Sequence, residues 1–179
     1  MFAQLDTKSV YSFMDSVVDL NTYVKRAKEL GYQSIGLMDR DNLYAAYHFA
    51  QLAIRNGLRP LIGTEANLFY EGRKIPFRLL AKNNQGYKNL MKLATELSSG
   101  QREFTYFSDY LNDIALILPS EDWEPGMSLS SEVFIGVRPE DAGKEFDYPV
   151  VPLHTVRYFE NADRSTIQTL HAISQNVSL

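Results

Sequence analysis

Cysteine is absent from this chain of 179 residues. Disulfides, thiolate zinc sites and cysteine nucleophiles are therefore excluded, and a reducing, cytoplasmic setting is the expectation. No apolar run approaches the roughly 18 residues that a membrane-crossing helix needs, so no membrane association is expected. No basic stretch followed by an apolar block opens the sequence, so no signal peptide is expected either. Positive charge is not in excess: 18 Lys and Arg face 22 Asp and Glu, for a formal net charge of −4. A domain that grips nucleic acid unaided carries a basic excess or stripe, and this one does not. Histidine is scarce, with only His48, His154 and His171 present, and none forms a His-x-His or a helical pair. Internal repeats, low-complexity segments and linkers are also lacking. What remains is 45% hydrophobic and 22% charged, the balance of one globular domain with a sizeable core.

Strand-like and helix-like segments alternate. Apolar runs at residues 2–5, 34–38, 60–63 (extended through 67–69), 77–81, 114–118, 133–137 and 150–153 read as seven strands. Asp19 or Asn21 can cap a first helix whose apolar face is Leu20, Tyr23, Val24, Ala27 and Leu30, with Gly31 as its stop. A second helix places Leu43, Ala46, Tyr47, Ala50 and Ile54 on one face, and a third places Tyr87, Leu90, Met91, Ala94 and Leu97. A closing helix covers residues 162–173, Glu71-Gly72 is a turn signal, and residues 123–131 read as a loop. Residues 138–148 leave room for one helical turn. Alternation of this kind predicts a parallel sheet with helical crossovers in a single α/β domain.

The stretch from Gly36 to Ala46 carries the most chemistry. An apolar strand ends in Asp39 and turns directly toward a helix, which is how β/α barrels place reactive groups at the C-terminal ends of their strands. Arg40 stands beside it, and a guanidinium cannot bind a metal. Other segments are quieter. Asn83 to Tyr87 reads as a turn and helix cap, and Ser98-Ser99-Gly100 as a helix end. Lys82, Lys88 and Lys92 form a solvated face, and Phe104, Tyr106, Phe107 and Tyr110 read as core or as a domain interface.

Five segments together resemble a known family. They are Phe2-Ala-Gln-Leu5, Val24-Lys-Arg-Ala-Lys-Glu-Leu-Gly31, Met38-Asp-Arg-Asp-Asn-Leu43, Ile62-Gly-Thr-Glu65 and Leu80-Ala-Lys-Asn-Asn-Gln-Gly-Tyr-Lys-Asn-Leu90. Their order and spacing are similar to the N-terminal polymerase-and-histidinol-phosphatase (PHP) domain of bacterial replicative DNA polymerase III alpha subunits. The likeness is strong over residues 1–98 and resumes over 150–173. It implies a distorted seven-stranded, TIM-like β/α barrel filling residues 1–179, cut from a larger replicative polymerase in the cytoplasm. The parent is implied to be a DNA-directed DNA polymerase whose nucleotidyl-transfer carboxylates and Mg²⁺ lie outside this chain. The partners implied are the remaining polymerase domains, and the resemblance allows contacts with other replisome subunits such as a proofreading one.

The metal-binding pattern of the family is broken here. The His-x-His that ends its first strand is matched by Asp6-Thr7-Lys8, and its Asp-His by Asp39-Arg40. Its Gly-x-Glu survives as Gly63-Thr64-Glu65. The histidine opening its fourth strand is matched by Pro76, and its Asp-x-His by Thr155-Val156-Arg157. Asp39 and Glu65 remain as ligands, with Asp6 as a substitute and His154 close to the lost pair. Lys8, Arg40, Pro76, Thr155 and Arg157 mark lost positions. The expectation is a catalytically inactive, structural domain without its own cofactor. In it, Lys8, Arg40 and Arg157 take over as counter-charges to Asp6, Asp39 and Glu65. The rival is an active metal-dependent phosphoesterase or 3′–5′ proofreading exonuclease.

Overall fold

The computed structural model describes residues 3–100, 103–129 and 132–177. Six strands form one curled sheet in chain order. They are β1 (Ser34–Arg40), β2 (Arg59–Tyr70), β3 (Arg73–Ala81), β4 (Ile114–Pro119), β5 (Glu132–Val137) and β6 (Val150–Pro152). Four helices, α1 (Leu20–Glu29), α2 (Ala46–Arg55), α3 (Asn84–Ser98) and α4 (Asp163–Gln175), accompany it, with three short 3-10 turns. Among the described residues no helix is long and apolar enough to cross a membrane.

The sheet is mixed rather than parallel throughout. β1 runs parallel to β2, and β4, β5 and β6 run parallel to one another, but β3 is antiparallel to both its neighbours. The cause is local. Glu71 and Gly72 both have positive φ, 50° and 77°, the geometry of a two-residue hairpin turn. A parallel crossover needs a dozen residues or more, so β3 must fold straight back on β2. The two runs expected at 60–63 and 67–69 accordingly merge into one 12-residue strand.

The first of the seven expected strands is not a ladder strand. Phe2 lies outside the described residues, and residues 4–8 touch their neighbours by single bridges. Gln4 pairs with Ile35 and Thr7 with Val156, both parallel. Gly36 N–H donates to Gln4 O at 2.7 Å and Met38 N–H to Thr7 O at 2.9 Å. On the other side Lys8 N–H donates to Val156 O at 2.9 Å, and Val156 N–H to Asp6 O at 2.8 Å. The segment thus lies between β1 and the chain after β6. Its close approach requires glycine at position 36, where a Cβ would stand 2.2 Å from Leu5 O.

Helix faces follow from what they cover. Asp19 caps α1 by accepting from Thr22 N–H at 2.9 Å, and Leu20, Tyr23, Val24 and Ala27 are buried. Leu30, expected on that face, is exposed because the helix ends before it. In α2 the buried face is Ala46, Phe49 and Ala53, while Tyr47 and Ile54 face water. Phe49 sets that rotation by stacking on Tyr23, with ring centroids 5.9 Å apart. α3 is capped by Asn83 and buries Leu90 and Leu93, but leaves Met91 exposed. Phe104 and Phe107, in the 3-10 turn Phe104–Tyr110, join the core between α3 and the sheet. Inside the curl, Met38, Ile117 and Leu153 pack with Leu5 and Leu80 beneath the site.

Candidate functional site: a buried charge network

The C-terminal end of β1 and the middle of β2 meet the chain before α1, the middle of β3 and the segment after β6. Register places Arg40 opposite Glu65 across the parallel pair and Arg78 opposite Glu65 across the antiparallel pair. Three elements therefore deliver charge to one place.

Lys8 is fully buried, with Nζ 2.8 Å from Asp6 Oδ1 and 3.0 Å from Glu65 Oε2. It also donates to Met38 O at 2.6 Å. Arg78 supplies a second cation to the same two acids, with Nε 3.0 Å from Asp6 Oδ2 and Nη2 3.2 Å from Glu65 Oε2. Its third donor, Nη1, is spent on Pro76 O at 2.6 Å. Thr155 Oγ donates to Asp6 Oδ2 at 2.7 Å. Asp6 Oδ1 has no well-aligned hydrogen bond and is balanced by the ammonium charge beside it.

Arg40 links this cluster to a second one. Its Nε lies 3.0 Å from Glu65 Oε1 and its Nη2 2.8 Å from Asp15 Oδ2. Asp15 is buried and also meets Arg157 Nε at 2.9 Å and His171 Nε2 of α4 at 2.9 Å. Asp39 stands apart from the cations. Its carboxylate accepts from Ser9 N–H at 2.6 Å, Ser9 Oγ at 2.7 Å and Ser12 Oγ at 2.6 Å.

Burial alone would raise the pKa of Asp6, but Lys8, Arg78 and the Thr155 hydroxyl outweigh it and lower the carboxyl to about 2. Glu65 moves the same way: burial opposes ionisation, while Lys8 and Arg78 favour it more strongly. Arg40 is raised, because Asp15 and Glu65 outweigh its desolvation. Both acids therefore stay ionised without a metal.

Of the residues singled out in the sequence, Asp6, Lys8, Arg40 and Glu65 are brought together. Pro76, Thr155 and Arg157 join Arg40, Glu65 and Arg78 in lining one open cleft of about 430 Å³. His154 does not enter it; the side chain is exposed and the carbonyl accepts from Gln4 Nε2 at 2.6 Å. His48 is exposed. Among the described residues no three His, Asp or Glu side chains are grouped to hold a metal ion. Sequence reasoning missed Arg78, Asp15, Ser9, Ser12 and the role of His171. Arg78 did leave a signal. It interrupts an apolar strand two residues after Pro76, hence on the same face.

The sequence profile of the PHP domain family matches residues 4–135. The DNA polymerase III alpha subunit of Streptococcus pyogenes serotype M1 is 46% identical over 181 residues, covering 100% of this chain. The chain spans 18% of that relative's length. The alpha subunit of Bacillus subtilis is 33% identical over 126 residues, covering 67% of this chain and 11% of its own length. That of Aquifex aeolicus is 32% identical over 111 residues, covering 52% and 10%. A solved amidohydrolase from Chromobacterium violaceum, with sulfate bound and no metal, superimposes with a TM-score of 0.46 at 18% identity, covering 54% of this chain and 33% of that one.

Proposed function

The chain belongs to the PHP domain family, and on that premise we propose that it is the N-terminal domain of a replicative polymerase chain, with fixed cations in place of its metals. Residues 1–179 make up this domain, and residues 4–8, bridged singly to β1 and to the segment after β6, close its barrel in the place of a seventh strand. Its role is structural: it packs on the polymerase body and offers a surface to other replisome subunits. The parent's activity is DNA-directed DNA synthesis in the cytoplasm, and its Mg²⁺-binding carboxylates lie in other domains.

One observation carries this reading. The ammonium of Lys8 sits within 3.0 Å of both Asp6 and Glu65, in the space that a metal bridging those carboxylates needs. Neither Lys8 nor Arg78 has a lone pair to offer when protonated. A metal approaching Asp6 and Glu65 would displace one cation and then face the other. Asp39, the remaining family ligand, is already committed to Ser9 and Ser12. The donor set therefore does not fit a cluster that must hold ions tightly and leave a water position open.

The rival reading is a metal-dependent phosphoesterase or 3′–5′ exonuclease. Phosphate release from 4-nitrophenyl phosphate, and nucleotide release from a 3′ end, are expected to stay at the rate of buffer with Mn²⁺, Zn²⁺ or Mg²⁺ alone. Metal-dependent turnover that disappears in Glu65→Gln would instead establish the rival.

A further inference from the structure

One face of the domain exposes apolar groups that its own fold does not use. Val10, Tyr11, Phe13 and Tyr44 are 52%, 46%, 82% and 80% exposed. Val10, Tyr11 and Phe13 share one loop, and Asn42 joins that loop to Tyr44. Asn42 donates from Nδ2 to Tyr11 O at 3.1 Å and accepts at Oδ1 from Tyr44 N–H at 3.1 Å. An aromatic side chain presents roughly 150–250 Å², so the patch is on the order of 400 Å², at the large end for a monomer surface.

The loop that carries three of these residues is held rigidly, and the charge network holds it. Ser9 and Ser12 are tied to Asp39, and Ser12 Oγ also accepts from Arg40 N–H at 3.1 Å. Ser16 Oγ donates to Lys8 O at 2.7 Å, and Val10 N–H to Val18 O at 3.0 Å. Met14, between Phe13 and buried Asp15, adopts φ 60°, a left-handed conformation that costs free energy for a residue other than glycine. The turn holds Phe13 out in water while Asp15 is held in beneath Arg40 and Arg157. An exposed aromatic on a fixed loop stabilises nothing within the domain. It has the form of a preorganised interface anchor.

We infer that this rim is the face on which the rest of the polymerase chain packs, with Phe13 and Tyr44 as its buried anchors. The inference rests on the reading given under Proposed function. The occupant follows from the length of the relatives, the effect of a tether, the charge of the patch and its area. The chain covers only 18% of the length of relatives that match it along its whole extent, so most candidate contacts belong to the same polypeptide. A tether raises their effective concentration to the millimolar range for short linkers, roughly. The patch itself is uncharged, and exposed Asp41 adjoins it, which disfavours a phosphate backbone. A second copy needs about 800 Å² per partner, roughly twice what the rim offers. The buried polar network thereby gains a use: Asp39 and Asp15 fix the loop that presents an anchor.

Hydroxyl-radical footprinting of the full polymerase chain tests this. Leu30 and Ile54, 68% and 66% exposed, serve as references after correction for intrinsic reactivity. Phe13 and Tyr44 are expected to react at least about fivefold more slowly than the references, as burial in an interface core demands. Reaction as fast as the references overturns the inference. So does protection that arises only when single-stranded oligothymidylate is added, which would make the rim a base-stacking platform. A Phe13→Ser, Tyr44→Ser double variant is expected to speed protease cleavage between domain and body about tenfold. An unchanged rate overturns the inference. A full chain without polymerase activity defeats the underlying reading itself, whereas an active polymerase with reactive Phe13 defeats only the docking face.

Discussion

Replacing Lys8 with methionine is expected to destabilise the domain by about 3–5 kcal/mol, the range for removing one partner from a buried ion pair. The lysine side chain is inaccessible to solvent, and its ammonium is the only cation on Asp6 Oδ1 among the described contacts. Methionine keeps the length and apolar stem but leaves Asp6 and Glu65 facing each other. Arg78 still touches both acids, and Arg40 touches Glu65, so the loss is large without being total. A shift in the urea midpoint at constant slope measures it at neutral pH. Adding Asp6→Asn to the variant is expected to recover part of the loss, since directly contacting groups couple by about 0.5–3 kcal/mol. A loss below about 1 kcal/mol would place these contacts with solvated surface pairs, and the counter-charge account would fail.

Acid should unfold the domain through the same residues. The Asp6 carboxyl is lowered from 3.8 to about 2 in the fold. A depressed carboxyl contributes stability that is fully present above its unfolded pKa and is lost as pH falls through the folded one. At 1.36 kcal/mol per unit, Asp6 contributes about 2 kcal/mol, lost between about pH 5 and pH 2. Glu65 shifts in the same direction and steepens the fall. Asp141 is lowered too, by Lys144, Ser120 and the Arg138 N–H, so the contribution of Asp6 must be isolated. Urea midpoints measured from pH 6 to pH 2 should fall more shallowly in Asp6→Asn than in the parent. Parallel curves would show that Asp6 gains nothing from Lys8 and Arg78.

The network need not add net stability. Each buried ion loses several kcal/mol of hydration, and well-packed apolar groups can match or exceed such pairs. What the arrangement does supply is register. Glu65 joins β2 to Lys8, to Arg40 of β1 and to Arg78 of β3. Asp15 joins Arg40 to Arg157 after β6 and to His171 of α4. Metals at the mouth of a barrel hold strand ends together in the same way.

How far the sequence led differs between fold and site. Strand positions were legible where an apolar run stands alone, as at residues 114–118 and 133–137 against β4 and β5. Sheet direction was not, because a turn signal at Glu71-Gly72 fixes strand order only when given its full weight as a hairpin. The face of α2 was misplaced because Tyr47 and Ile54 satisfy helical spacing as well as Phe49 does. Only the stacking partner, Tyr23 on α1, decides between them. In the site, adjacent chemistry such as Asp39-Arg40 was visible along the chain. Asp15 was not, since its partners lie 25 or more residues away, and Arg78, which reaches Asp6 across 72 positions, was marked only by its place two residues after Pro76. His171 meets Asp15 across 156 positions, a separation that periodicity cannot register.

The central claim is that fixed side-chain cations occupy the place of metal ions between Asp6, Glu65 and their neighbours. Elemental mass spectrometry of the purified protein, after dialysis against a weak chelator, tests it most directly. The account predicts less than roughly a tenth of a transition-metal ion per chain, because a functional cluster binds tightly through many deprotonated ligands. One ion per chain, lost on replacing Asp39, Glu65 or His154, would contradict it and make a residual hydrolase the better description.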